Sequence, residues 1–303
     1  MNFDKKQLRN TLLLLLGALI WGTAFVAQSV GSGYVGPYTF LAARSWLACA
    51  FLIVLVLLRR GKARKADPGV PFWINGRMLL RGGVFCGIAL FAASAAQQIG
   101  IGTTSTAKAG FLTALYVVLV PVFGLFFKRK VSLPVWIAVA LSVLALYLLC
   151  IKGSFSLSPG DLLILICAVC FAVHILVIDH FTAYCDGVKL SCLQFLFAAL
   201  ISTVCMFLFE EVDFAAIWGC ILPLLYVGIF SCGVGYTLQI LAQKGSNPTV
   251  VTILLSLESV FAVIAGAIIL KQQMSVREYI GCAVMFAAVL LAQIDFPVKQ
   301  KAE

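Results

Sequence analysis

Residues 248–270 read PTVVTILLSLESVFAVIAGAIIL. The stretch opens on Pro248, contains no Lys or Arg, and carries a single acidic side chain, Glu258. A helix rises about 1.5 Å per residue, so the run is long enough to cross a hydrocarbon layer roughly 30 Å thick. The apolar residues are continuous and do not alternate with period two, as they would in a strand of a membrane barrel. A helix that is apolar on every side has no face to offer to water. One such segment could belong to the core of a large soluble domain, and the rest of the chain decides against that.

Across 303 residues, 62% are apolar, 11% are charged, and the mean hydropathy is +1.07. Soluble domains run at about 45–50% apolar and about 25% charged. In water a chain of this composition would present a continuous apolar surface and aggregate, so its solvent is the lipid bilayer. At roughly 20 residues per span, the apolar content supplies about nine or ten helices and leaves no room for a separate soluble domain. Ten stretches separate at Gly, Pro, Ser or charged breaks: 10–30, 37–58, 78–99, 105–127, 132–151, 161–179, 188–209, 214–241, 248–270 and 275–294. The eighth is overlong for one straight span and is expected to tilt or to extend past the hydrocarbon. The expected fold class is an all-α integral membrane protein.

The net charge of +10 does not indicate nucleic acid. The basic residues form no groove with interleaved aromatics but sit in short breaks between apolar runs, as in Arg59, Arg60, Lys62, Arg64 and Lys65, or Lys128, Arg129 and Lys130. Placing the N-terminus inside puts most of the 22 Lys and Arg in cytoplasmic segments, leaving Lys152, Lys271 and Arg277 outside, in keeping with the positive-inside bias. Both termini are therefore expected in the cytoplasm, and the membrane is expected to be the cell membrane. Lys5, Lys6 and Arg9 ahead of LLLLLGALI could pass for a signal peptide, but the repeat described next gives this segment a partner, so it is read as a retained helix. The 11 cysteines are scattered through apolar runs, and Cys167 and Cys170 lack the second pair a zinc site would need. They are read as small packing side chains. The residues call for no cofactor and no metal.

Sliding residues 93–151 onto 236–294 needs no gap. It matches Gly102 with Gly245, Thr106 with Thr249, Lys128 with Lys271, Ser132 with Ser275 and Ile137 with Ile280, and it superimposes spans three to five on eight to ten. The chain thus divides into halves of five spans, residues 1–151 and 152–303. An odd number of spans makes the second half enter from the opposite side, so the repeats are inverted. Such halves can exchange roles and open a central site to each side in turn.

Several stretches resemble the EamA-type drug/metabolite transporter superfamily: LLLLLGALIWGTAFVAQ at 12–28, Pro37, Phe40 and Arg44 in span two, TTSTAKAGFLTALYVVLVPVFG at 103–124, and LLSLESVFAVIAGAIIL at 254–270. The resemblance covers essentially the whole chain. It implies ten helices in two inverted five-helix repeats, a central cavity lined by helices one, three, four, six, eight and nine, and export or uptake of small metabolites. The chain departs from the pattern in carrying Lys128 and Lys271 where a Glu is common, and Ser259 where a Pro often follows the Glu.

Glu258 is the most informative single residue. It lies ten residues after Pro248, about 15 Å along the helix and near mid-membrane. A carboxylate there is costly unless paired, hydrated or protonated, and it should face the bundle interior. Two readings are open: a site for a proton or a substrate amine, or a protonated structural Glu bonded to a neighbouring helix. Lys108, near the outer end of span four, can snorkel to water or meet a substrate carboxylate at the cavity mouth. Arg44 resembles a structural residue of the family and is expected to cap carbonyls of neighbouring helices. Trp21, Gln28, Gln97, Gln98, Tyr116, Tyr236, Gln239 and Ser259 are candidate cavity residues, with Gln97 and Gln98 within a turn of Gln239 under the repeat alignment. His174 is read either as a neutral ring bonded to a backbone carbonyl or as a proton relay. Pro121 is expected to kink span four.

A membrane-embedded enzyme would call for G-x-S-x-G, H-E-x-x-H or paired acids at the membrane edge, and none is present. A structural or sensory subunit would usually carry a soluble output domain. The function expected is that of a secondary transporter, most simply an exporter, of small metabolites such as amino acids or amphipathic compounds, with protons as the coupling partner.

Overall fold

The computed structural model describes residues 5–66, 75–104, 106–129, 131–151, 158–269 and 274–294. Among them, every regular element is helical, and ten segments are long and apolar enough to cross a membrane. The first three spans are α1 (Lys5–Gly31), α2 (Pro37–Ala66) and α3 (Gly76–Ile101). The fourth is interrupted, giving α4a (Thr106–Ala114) and α4b (Tyr116–Phe126). Then follow α5 (Leu133–Cys150), α6 (Pro159–Thr182) and α7 (Gly187–Phe209). The ninth span is interrupted in its turn, into α9a (Pro248–Leu255) and α9b (Leu257–Ile269), and α10 (Val276–Ile294) is last. The orienting lysines Lys130, Lys152 and Lys271 and the two chain ends lie outside the described residues, as do the side chains of Arg64 and Lys65.

The overlong eighth stretch has a specific explanation. A separate short helix, Phe214–Gly219, precedes the span proper, α8 (Ile221–Gln243). Within α8, Tyr226–Gly235 is π-helical. A π-helix closes i→i+5 hydrogen bonds and so takes more residues per turn than an α-helix.

The helices pair as two inverted repeats require. α2 packs along α7, and α5 along α10, each element against its own counterpart. α1 lies against both halves of α9, as α6 lies against both halves of α4. At the junction α4a meets α9b, and α4b meets α9a. The outward surface is apolar, with Phe126, Leu222, Val276 and Ile268 largely exposed, as a lipid-facing surface should be.

The two ends of the bundle differ in charge. Lys6, Arg59, Arg129 and Lys244 mark a basic face, while Asp161, Glu210, Asp213 and Glu278 mark the opposite, acidic face. Carboxylates on both faces cap helix N-termini, where the backbone leaves N–H groups unpaired and the dipole favours negative charge. Glu210, just past α7, accepts from Tyr38 N at 2.7 Å, Thr39 N at 2.8 Å and Thr39 Oγ1 at 2.6 Å, closing the start of α2. At the other end of the same helix pair, Asp186 caps α7 through Val188 N and Lys189 N and meets Arg59 at 3.5 Å. Asp161 completes a capping box with Ser158 and also accepts from Thr104 Oγ1 at 2.5 Å, tying α6 to the end of α3. Between α8 and α9 the chain turns at Gly245, whose φ of 74° belongs to the left-handed region that glycine enters without steric cost.

One glycine determines how closely α1 can approach α9b. A Cβ on Gly22 would stand 2.5 Å from the Glu258 carbonyl oxygen and 2.9 Å from Ala262 N, both backbone atoms. Gly22→Ala should therefore push the two helices apart and destabilise the fold by about 1–3 kcal/mol, the usual cost of overpacking. Gly61→Ala, with nothing within 4 Å of its Cβ position, should be neutral or stabilising. Unfolding of the detergent-purified variants checks the contrast. Glu210→Ala should cost about 1–3 kcal/mol in the same assay through the loss of charge-assisted bonds to α2, with Glu210→Gln falling between it and wild type.

Candidate functional site

The interruptions in α4 and α9 lie at nearly corresponding places in the two repeats, around Leu115 and Ser256. At Leu115 the ladder tightens to three-residue bonds, Leu115 N to Leu112 O at 3.3 Å and Val118 N to Leu115 O at 3.0 Å. At Ser256 the hydroxyl and the amide both bond the Thr252 carbonyl, at 2.8 and 3.0 Å, a back-bonding known to bend helices. The break in span four is thus at Leu115, earlier in the chain than Pro121, which lies inside α4b. Proline is not the shared cause, since α9 breaks without an internal one. What the breaks share is the crossing: Tyr116 opens α4b, Glu258 sits in the first turn of α9b, and Tyr116 Oη donates to Glu258 Oε1 at 3.1 Å.

Around this crossing lies a cavity of about 50 Å³. It is far smaller than the roughly 300–1,000 Å³ of a pocket holding a drug-sized ligand. A second cavity of about 740 Å³ opens at the basic face, with Lys6, Arg129, Asp179, His180 and Lys244 on its walls. Arg129 and Asp179 pair there at 2.6 Å, joining α4b to α6. Between the two cavities lies a buried layer. Gln243 Nε2 donates to the Ile175 carbonyl at 2.6 Å and Gln243 Oε1 accepts from Gln239 at 3.4 Å.

Of the candidate residues, Trp21, Gln28, Gln97, Tyr116, His174, Tyr236, Gln239 and Glu258 all line the central cavity. Trp21 spends its indole N–H on the Ser231 carbonyl of the π-helical segment at 3.1 Å and lies 4.7 Å from the Tyr236 ring, centroid to centroid. Tyr226 adds a second link from this segment to α1, bonding the Ile20 carbonyl and the Thr23 hydroxyl. Tyr236 also meets His174 and Phe195 edge-on, so aromatic rings from four helices form one wall. Gln97 donates to Thr113 Oγ1 at 3.4 Å. Gln98, one position on, does not line the cavity but bonds Arg44 and Gln28, which do. Ser259 is buried beside Glu258 but does not line the cavity either. Lys108 falls in α4a, and its side chain lies outside the described residues.

Three findings differ from the sequence reading. His174 Nε2–H meets the Gln194 Oε1 atom at 3.0 Å, where a backbone carbonyl was expected. The cavity draws on α2 and α7 as well as the six helices expected, through Leu41, Arg44 and Ser45, and Phe195 and Ala198. Among the described residues, Arg44 caps no carbonyl. Its Nη1 donates to Gln28 Oε1 at 2.5 Å and Gln98 Oε1 at 3.4 Å, while Gln98 Nε2 reaches back to the Gln28 carbonyl at 3.4 Å. No carboxylate lies within 4 Å of Arg44 among the described residues. Arg44 is buried, 4% exposed as a residue, and among the described residues its guanidinium donates its hydrogen bonds to side-chain amides. The signal that could have found it is its charge well inside a span, which by default marks a functional position.

The EamA-like transporter family matches this chain over residues 9–151 and 158–293. An uncharacterized transporter of Archaeoglobus fulgidus is 28% identical over 295 residues, covering 95% of this chain and 87% of the relative. A solved crystal structure superimposes with a TM-score of 0.76 at 19% identity, covering 94% of this chain and 96% of the other, a likeness of fold. With both repeats matched and ten spans in place, the chain is a multi-pass membrane protein that belongs to the EamA-like transporter family.

Proposed function

We propose that the chain is a secondary carrier that exports small amphipathic metabolites, amino acids among them, by alternating access. In this reading the repeats, residues 1–151 and 152–303, rock about the central cavity, and Glu258 exchanges a proton for the solute. The observation that carries the reading is the meeting of two interrupted spans, one from each repeat, at Tyr116 and Glu258. Repeat-built carriers bind solute and coupling ion at such discontinuities near the midplane. A small central cavity beside a wide vestibule at the basic face is an arrangement expected of a carrier between loading and release. The chain contains no P-loop for ATP, so an ion gradient is the natural source of drive.

The polar groups of the cavity orient the solute and its aromatic wall gives apolar contact, the usual composition of a small-molecule site. The basic face is cytoplasmic in this reading, both chain ends lie on that side, and the membrane is the cell membrane.

Two measurements test the proposal. In proteoliposomes with an imposed pH gradient, Glu258→Gln should cut driven flux by roughly tenfold or more, the worth of one charge-assisted interaction. Exchange of labelled solute without a gradient should be retained, and unchanged driven flux would remove the proton from the mechanism. Reporter tags inserted after Gly61 and after Glu211 should mark opposite compartments, with the Gly61 tag in the cytoplasm. The same compartment for both would contradict the inverted arrangement.

A further inference from the structure

Arg44 carries five N–H donors in a fixed planar fork. Described residues engage only the Nη1 corner, through Gln28 and Gln98. The Phe40 ring lies 5.8 Å below the guanidinium carbon, and Phe40 itself is fully buried, so the plane is held from beneath as well. Nε is buried with no partner, and Nη2 bonds no described residue. These two atoms form the side-on edge of the guanidinium, whose parallel N–H bonds match the two oxygens of a carboxylate. A buried cation held on one corner by amides, with its best recognition edge unused, is costly for folding alone. The cost is explained if a ligand supplies the missing anion.

We infer that Arg44 is the anion-recognition residue of the central site and that the transported solutes carry a carboxylate, which docks on the Nε/Nη2 edge. This rests on the transport reading above and names the substrate class of the same cavity. Gln28 and Gln98 are positioning residues that aim the fork. Among the described side chains lining the cavity, Arg44 is the single Lys or Arg. A single carboxylate therefore balances Arg44, whereas a doubly charged phosphoryl group would ask for a second cation. Glu258 lines the same cavity from α9b, where in the transport reading its proton is exchanged for the solute docked on Arg44. Arginine serves here where lysine would not, because a lysine ammonium is a point charge without the planar edge.

The test uses the full-length protein in detergent and in vesicles. Butyrate should raise the melting temperature of wild type, butyramide and propylphosphonate should not, and Arg44→Gln should abolish the difference. Vesicles loaded with a mixture of amino acids and their amides should release the acids in preference to the amides. Arg44→Lys, which keeps the charge and guards against a misfolded Gln variant, should cut that preference by roughly tenfold. Equal effects of butyrate and butyramide, stabilisation by propylphosphonate matching that by butyrate, or a preference for acids that survives in both variants overturns the assignment. Wild-type vesicles that release no solute at all overturn the transport reading itself. Release that does not distinguish acid from amide overturns only the role of Arg44.

Discussion

In hydrocarbon a peptide group has no water to turn to, so a spanning helix can break only where protein or a lined cavity receives the freed groups. This constraint organises the molecule. α4 and α9 break at their mutual crossing, where α1 and α6 cover them and the cavity lies alongside. The same crossing brings Tyr116 to Glu258 and places a carboxylate where it has a donor and a protein-lined space. Gly22 lets α1 lie directly against the Glu258 backbone, so the carboxylate and the helix break are sealed from lipid by one close contact. Site and scaffold are therefore the same set of interactions, and a change that loosens one exposes the other.

Around the crossing, polarity is distributed by helix end and by depth. Capping carboxylates at the acidic face close α2 and α6, and the charged groups of the basic face border a wide vestibule. Between these faces, Arg44 and Glu258 are the two charged side chains on the cavity wall among the described residues, one held by amides and the other by a phenol. Each interaction holds one part of its group in place, and in the proposed reading the rest of each group is left to the solute and the proton.

The spans were legible because an all-round apolar helix needs only length and composition to be recognised, and the ten stretches return with their ends moved by a few residues. What could not be read follows from the same uniformity. Where both lipid-facing and protein-facing positions are apolar, no periodicity fixes the rotation of a helix, so Gln97 and Gln98 looked equivalent although neighbouring residues on a helix point about 100° apart. The Leu115 break has no proline or glycine beside it, and the Ser256 break depends on a hydroxyl choosing its own Thr252 carbonyl. Arg44 was visible as a charge, but the donors it leaves unused emerge only once Gln28, Gln98 and Phe40 surround it. Eight candidate residues nonetheless converge on one cavity, because a polar side chain inside a span has few places to go other than the protein interior.

The π-helical turns of α8 have no counterpart in α3, which is α-helical throughout. Had the two halves been true copies, swapping them would leave the molecule unchanged, and an empty carrier of the proposed kind would divide its time equally between its two orientations. The wider turns of one half remove that degeneracy. Each factor of ten in resting occupancy needs only about 1.4 kcal/mol, less than many single packing differences. In the alternating-access reading proposed above, the unloaded molecule is therefore free to favour one doorway, and its apparent affinity for the same solute is free to differ on the two sides of the membrane.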